Sequence, residues 1–91
     1  MRQSMSFIEP EIMKDARNFF INDKKDLVGS GEKFMRYFLE NCTPEGILFK
    51  TMKEITAELD LSYLELVDIL RILKNRQIIY RRNGIIGLWK Y

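Results

Sequence analysis

The chain is 91 residues long, with 46% hydrophobic residues, 31% charged residues and a net charge of +2. This is the composition of one soluble globular domain without a membrane span. A single cysteine, Cys42, and the lack of histidine exclude an internal disulfide, a zinc site of the usual ligands and a catalytic triad with a histidine base. We therefore expect a cytoplasmic protein that is not an enzyme and has no metal, cofactor or small-molecule site.

The first predicted element is a helix that opens at Glu9-Pro10-Glu11, because a first turn tolerates proline and favours acids. No helix or strand is predicted for residues 1–8. The apolar residues of this helix are numerous for a peripheral position, so they either pack on the core of their own chain or pair with a second chain. The second alternative makes residues 1–28 an N-terminal arm that joins a homodimer. Its predicted contact residues are Ile12, Ala16, Phe19 and Phe20.

The glycines of Gly29-Ser30-Gly31 predict a break in the chain, after which Ser30 can cap the next helix. From Glu32 to Glu40, apolar and aromatic residues cover most of the helix surface. Such a helix is buried on more than one side. We therefore place the start of the folded domain, residues 29–91, at this break and expect residues 32–40 at the centre of its core.

Residues 41–46 form a turn by composition, and the short apolar run Ile47-Leu48-Phe49 that follows is suited to a strand. Two capping boxes come next, at residues 51–54 and 62–65, each a hydroxyl followed three residues later by a carboxylate. Between them lies Asp60, a residue type that tolerates a left-handed backbone. A short helix, a tight turn and a longer helix ending near residue 75 are predicted, which is a helix-turn-helix.

Asn83-Gly84 separates two β-prone runs and predicts a hairpin, because a type I′ turn needs positive φ at both central residues. A two-residue turn also determines the register of the two strands. The predicted pairs are Arg82 with Ile85, Arg81 with Ile86, and Tyr80 with Gly87. The ring of Tyr80 should therefore lie across from a residue without a side chain.

The predicted order of helix, short strand, helix, turn, helix and hairpin is that of a winged helix. Residues 32–91 resemble the winged helix-turn-helix DNA-binding domains of bacterial transcription regulators, most of all the C-terminal domain of the Crp/Fnr family. The residues that carry the resemblance are KEITAELDLSYLELVDILRILKNRQII and the RRNG hairpin. The resemblance implies a mostly α fold with a small β-hairpin. A three-helix core and a C-terminal wing are joined here by an additional N-terminal helix.

Charge is unevenly distributed along the chain. Residues 1–49 have a net charge of −1 and residues 50–91 a net charge of +3, with no acid after Asp68. The basic residues beyond Asp68 are Arg71, Lys74, Arg76, Arg81, Arg82 and Lys90. They form either an anion-binding surface or a solvated face that keeps the protein soluble.

The first functional hypothesis is sequence-specific binding of double-stranded DNA by a transcription regulator. The second helix of the helix-turn-helix would enter the major groove, and the basic wing would hold phosphates. The predicted base-reading residues are Ser62, Tyr63, Leu64, Val67, Asp68 and Arg71. The predicted phosphate contacts are Lys50, Thr51, Lys53, Lys74, Arg76, Arg81 and Arg82.

The start of the second helix departs from the family pattern of polar and basic side chains. Leu64 and Val67 cannot hydrogen-bond a base, and Asp68 is repelled by phosphates, although an acid can accept a hydrogen bond from cytosine N4. This apolar and acidic face supports a second hypothesis, a winged helix used for protein–protein interaction without DNA binding. A third alternative is a small replication-initiator-type DNA-binding protein, since such proteins share the pattern.

Overall fold

The computed structural model describes residues 9–89. Residues 1–8, and Lys90 of the basic C-terminal run, lie outside the described part. The helices are α1 (Glu9–Asp23), a short 3-10 helix (Lys25–Leu27), α2 (Val28–Asn41), α3 (Met52–Leu59) and α4 (Tyr63–Asn75). The strands are β1 (Ile47–Leu48), β2 (Ile79–Arg82) and β3 (Ile85–Leu88). The described chain is therefore mostly helical, with a small antiparallel sheet in the order β1-β3-β2.

Both predicted capping boxes are present. The hydroxyl of Thr51 accepts from the N–H of Glu54 at 3.1 Å, and the Glu54 carboxylate accepts from the N–H of Thr51 at 2.8 Å. Ser62 and Glu65 repeat the arrangement at 3.0 and 3.1 Å at the start of α4. Asp60 ends α3 with a left-handed backbone, φ 55°. The predicted helix starts and the turn between them are confirmed.

The hairpin has the predicted turn and register. Asn83 and Gly84 have φ of 52° and 80°, and Tyr80 pairs with Gly87 across β2 and β3. A Cβ atom on Gly87 would collide with the Tyr80 ring, so only glycine lets that ring lie across β3. On the other side of β3, Gly87 pairs with Ile47, which makes β1 the third strand.

One hydrophobic core joins the helices and the sheet. The central helix is α2, as predicted, because its Phe34, Met35 and Phe38 are fully buried. They share the core with buried residues of α4, of the sheet and of the segment that leads into β2. Those residues are Leu66, Ile69, Leu70, Leu73, Leu48, Ile78, Ile79 and Ile86.

The predicted break at Gly29-Ser30-Gly31 is wrong, because α2 starts at Val28 and runs through both glycines. No side chain caps its start. Gly31 is buried, and a Cβ atom there would collide with the ring of Phe20 on α1. This glycine therefore serves the close approach of α1 and α2 and does not separate two elements.

The predicted dimer contacts on α1 are also corrected. Ile12, Ala16 and Phe20 are fully buried within their own chain, so they present no surface to a second copy. Phe19 is half-buried against the same core, and the Arg76 guanidinium lies over its ring at 4.9 Å from the centroid. Of the two alternatives, packing of α1 on its own chain is the one observed. A homodimer would need another surface.

Candidate nucleic-acid interface

The exposed face of α4 begins directly after its N-cap. Tyr63 is 62% exposed and Leu64 is 74% exposed, while Val67 and Asp68 are half-buried and Arg71 is exposed. These residues recur at three- and four-residue spacing, so they share one side of the helix. The structure therefore brings together five of the six predicted base-reading side chains. The sixth, Ser62, uses its hydroxyl for the helix cap.

Asp68 is at the centre of a small ion-pair cluster on this face. Its carboxylate accepts from the Arg71 guanidinium at 2.8 Å and from Lys24 Nζ at 2.9 Å. The hydrogen bond from Arg71, followed by the one from Lys24, lowers the pKa of Asp68 below its ordinary value of 3.8. Asp68 is thus ionised, and both of its oxygens already accept hydrogen bonds. This arrangement favours a positioning role for Asp68 over the predicted base contact.

The sequence did not indicate that Lys24 belongs to this face. Lys24 lies between α1 and the 3-10 helix, 44 residues away from Asp68 along the chain. Only the packing of α1 against α4 brings the two together. Two cations now flank one carboxylate, so the cluster has a net positive charge. The phosphate repulsion expected from an isolated Asp68 is therefore removed.

A groove of about 220 Å³ lies between α4 and β2. Three basic side chains line it, those of Arg71, Lys74 and Arg81, and no acidic residue does so. Within residues 9–89, Lys74 and Arg81 form no ion pair. Lys74 and Arg81, which converge on this groove without a carboxylate partner, can hold an anionic group such as a phosphate.

Arg76 has a different role from the one predicted. Its guanidinium donates to the Asp23 carboxylate from Nε at 2.9 Å and from Nη2 at 2.5 Å. This bidentate pair lowers the pKa of Asp23 and ties the end of α1 to the end of α4. The Arg76 guanidinium binds Asp23 and also lies near the ring of Phe19. Arg76 therefore stabilises the contact between α1 and α4.

Four further residues are predicted to contact phosphates. Thr51 is the cap of α3, and Lys50 reaches Glu58 at 3.5 Å. The carboxylate of Glu58 also accepts from the Tyr37 hydroxyl at 2.6 Å, and that hydrogen bond lowers the pKa of Glu58. Lys53 is exposed on α3. Arg82 lies beside the hairpin turn, with its guanidinium 5.9 Å from the Tyr80 ring centroid.

Comparisons with protein-family models, curated proteins and solved structures give no match. Among the described residues, no group of three or more histidine, cysteine, aspartate or glutamate side chains could hold a metal ion. None of the helices within residues 9–89 combines the length and the apolar character needed to cross a bilayer. The function is therefore inferred from the geometry of α4, the groove and the hairpin.

Proposed function

We propose that this protein binds double-stranded DNA, with α4 in the major groove and the β2–β3 hairpin along the phosphate backbone. The observation that carries the proposal is the groove between α4 and β2. Arg71, Lys74 and Arg81 converge there without an acidic lining residue, directly beside the exposed face of α4. Phosphate contacts of this kind position a protein on the duplex, while the helix face reads base edges.

The order of elements supports a winged helix-turn-helix for this chain. In that fold α3, the turn at Asp60 and α4 form the helix-turn-helix, and the hairpin is the wing. Both helix starts are rigidly defined by reciprocal caps, and the longer second helix carries the exposed face. This is the arrangement in which a recognition helix is held by a first helix and inserted into the major groove.

Each side chain on the α4 face has a role suited to its chemistry. The Tyr63 hydroxyl can donate to a phosphate or to a base acceptor at the start of the helix. Leu64 and Val67 can contact the methyl group of thymine. Arg71 lies one turn further on, where it can exchange Asp68 for a phosphate or for guanine. These contacts fit a sequence-specific transcription regulator with a preference for thymine-containing sites.

A homodimer would double the contact area, since dimeric helix-turn-helix proteins read half-sites about 34 Å apart. The contact between the two copies could not use Ile12, Ala16 and Phe20, because these residues are buried within their own chain.

Binding of the protein to random duplex DNA across a salt series tests the proposal. Four cations are placed for phosphates, namely Arg71, Lys74, Arg81 and Arg82. Each phosphate contact contributes about −0.9 to the slope of log K against log salt, so four contacts give an expected slope of about −3.6. The absence of binding at low salt, or affinity that does not change with salt, would contradict the proposal.

A second candidate function is protein–protein interaction through the α4 face. It is favoured by the exposure of two large side chains, Tyr63 and Leu64, since adjacent exposed apolar residues often mark interaction sites. If duplex DNA does not bind at low salt, alanine substitution of Tyr63 and Leu64 should abolish binding of the protein partner while leaving the melting temperature unchanged.

A further inference from the structure

The sheet has one face that is not covered by the core. Gly87 pairs with Ile47 on one side and with Tyr80 on the other, so these three positions share a face. Successive residues of a strand alternate between faces, which adds positions two residues away along each strand. We call this the outer sheet face. It consists of Ile47, Phe49, Tyr80, Arg82, Ile85, Gly87 and Trp89. Ile78, two residues before Tyr80, is not part of it, because its side chain is buried in the core.

The opposite face of the sheet belongs to the core, since Leu48, Ile79 and Ile86 are buried there. On the outer sheet face, by contrast, Phe49 is 65% exposed and Trp89 is 47% exposed. Core packing therefore does not explain these two rings. Large exposed apolar groups gathered on one face mark a binding surface.

The aromatic side chains of this face are arranged around Gly87. The ring of Tyr80 lies across the glycine, and its centroid is 5.2 Å from that of Trp89, with the ring planes tilted by 59°. Phe49 follows directly after β1, at the position that continues the Ile47 side of the sheet. The face thus presents the rings of Phe49 and Trp89 at the ends of β1 and β3. The half-buried residues Ile47 and Ile85 lie on the same face.

The charge of the face is positive. The guanidinium of Arg82 lies 5.9 Å from the Tyr80 ring centroid and has no carboxylate partner within the described residues. Neither strand of the hairpin contains an acid, and the acid nearest along β1 is Glu45. A ligand with planar groups and negative charge complements these features. A second copy of this chain would instead bring two positive hairpins together.

We infer that the outer sheet face binds single-stranded nucleic acid. Unpaired bases stack on Phe49 and Trp89, while Arg82, which pairs with Ile85 at the hairpin end of this face, holds a phosphate of the same strand. Aromatic stacking tolerates every base and contributes roughly fivefold to 150-fold in affinity for each stacked base. This site shares only Arg82 with the proposed duplex contacts. Its stacking residues lie outside the α4 face and the groove, so it goes beyond duplex binding and does not depend on it.

The fluorescence of Trp89, the single tryptophan of the chain, reports on the site directly. Titration of the full chain with single-stranded oligothymidylate should quench this fluorescence to saturation. A duplex with the same number of phosphates should quench it much less, because paired bases cannot stack on the ring. Equal quenching by both would overturn the inference, and so would a fluorescence change caused by raising the protein concentration alone.

Variants separate stacking from general apolar contact. With a fluorescently labelled single strand, Phe49→Ala and Trp89→Leu should each weaken binding about fivefold or more, whereas Trp89→Phe should stay within about twofold. Ile21→Ala, which removes a 41% exposed apolar group from α1, is the matched control and should not change single-strand affinity. Thermal unfolding of each variant verifies the fold. Equal binding by Trp89→Leu and Trp89→Phe would overturn the inference.

Discussion

Asp68 holds Arg71 on the exposed face of α4, with its carboxylate oxygen 2.8 Å from the guanidinium. The two residues are one helical turn apart, and Lys24, which directly follows α1, binds the second oxygen of the same carboxylate. In the free protein, Arg71 is therefore held in place before any DNA arrives. In the proposed DNA complex, a phosphate or a base would have to compete with Asp68 for the arginine, and this competition would disfavour weak, non-specific contacts.

The first prediction concerns the removal of this restraint. Asp68→Asn should raise affinity for random duplex DNA at low salt, because Arg71 and Lys24 lose their anionic partner. The slope of log K against log salt should become steeper by up to about 0.9, the value for one additional released counterion. The preference for a selected site over random DNA should fall at the same time.

Glu40→Gln is the matched control for this variant. Glu40 is exposed on α2, so its neutralisation changes the net charge by the same amount at a distance from the ion-pair cluster. It should leave the salt slope nearly unchanged. If Asp68→Asn lowers the affinity for random DNA, Asp68 contacts the DNA itself and the positioning role is wrong.

The second prediction concerns Arg76, which pairs with Asp23 and should not bind DNA. Arg76→Gln should lower the melting temperature at about pH 7, where the ion pair is fully formed, and leave the DNA salt slope unchanged. Arg76 lowers the pKa of Asp23 in the folded state below 3.8. Stability from this pair is therefore present above the unfolded pKa and is lost as pH falls through the folded pKa. The difference in melting temperature between variant and wild type should therefore narrow as the pH falls below 3.8.

A phosphate contact by Arg76 would give a different pattern. The DNA salt slope of Arg76→Gln would then shrink by about 0.9, and its melting temperature at neutral pH would match that of the wild type.

The third prediction compares two glycines of the same helix. Gly31→Ala should destabilise the fold by about 1–3 kcal/mol, because the added methyl meets the buried ring of Phe20. Gly29→Ala meets no atom within 4 Å, so it should leave stability unchanged or raise it by up to about 1 kcal/mol. Denaturant unfolding of both variants measures the difference. Equal effects would show that α1 does not approach α2 through Gly31.

Features determined by residues close in sequence could be predicted from the sequence. The reciprocal caps at Thr51 and Ser62 span three residues each, and the hairpin register follows from the two residues Asn83 and Gly84. In each case the hydrogen-bonding partner or the required φ is specified locally. These elements, and the central position of α2, are confirmed.

Features that depend on distant packing could not be predicted in the same way. Glycine can break a helix or admit a close neighbour, and only the position of the Phe20 ring shows which applies to Gly31. Likewise, Lys24 and Asp68 are 44 residues apart, and Asp23 and Arg76 are 53 residues apart. Their pairing decides which cations remain available for phosphates, so composition alone could not separate Arg76, which pairs with Asp23, from the unpaired cations.

The most direct test of DNA binding is the salt dependence of a double variant in the groove. Lys74→Ala with Arg81→Ala removes two cations that form no ion pair within residues 9–89. The matched control, Lys33→Ala with Arg36→Ala, removes the same charge from exposed positions of α2. The groove variant should bind random duplex DNA with a slope smaller by nearly two, at about 0.9 for each lost contact, while the control keeps the wild-type slope. Equal slopes for the two variants would contradict the account.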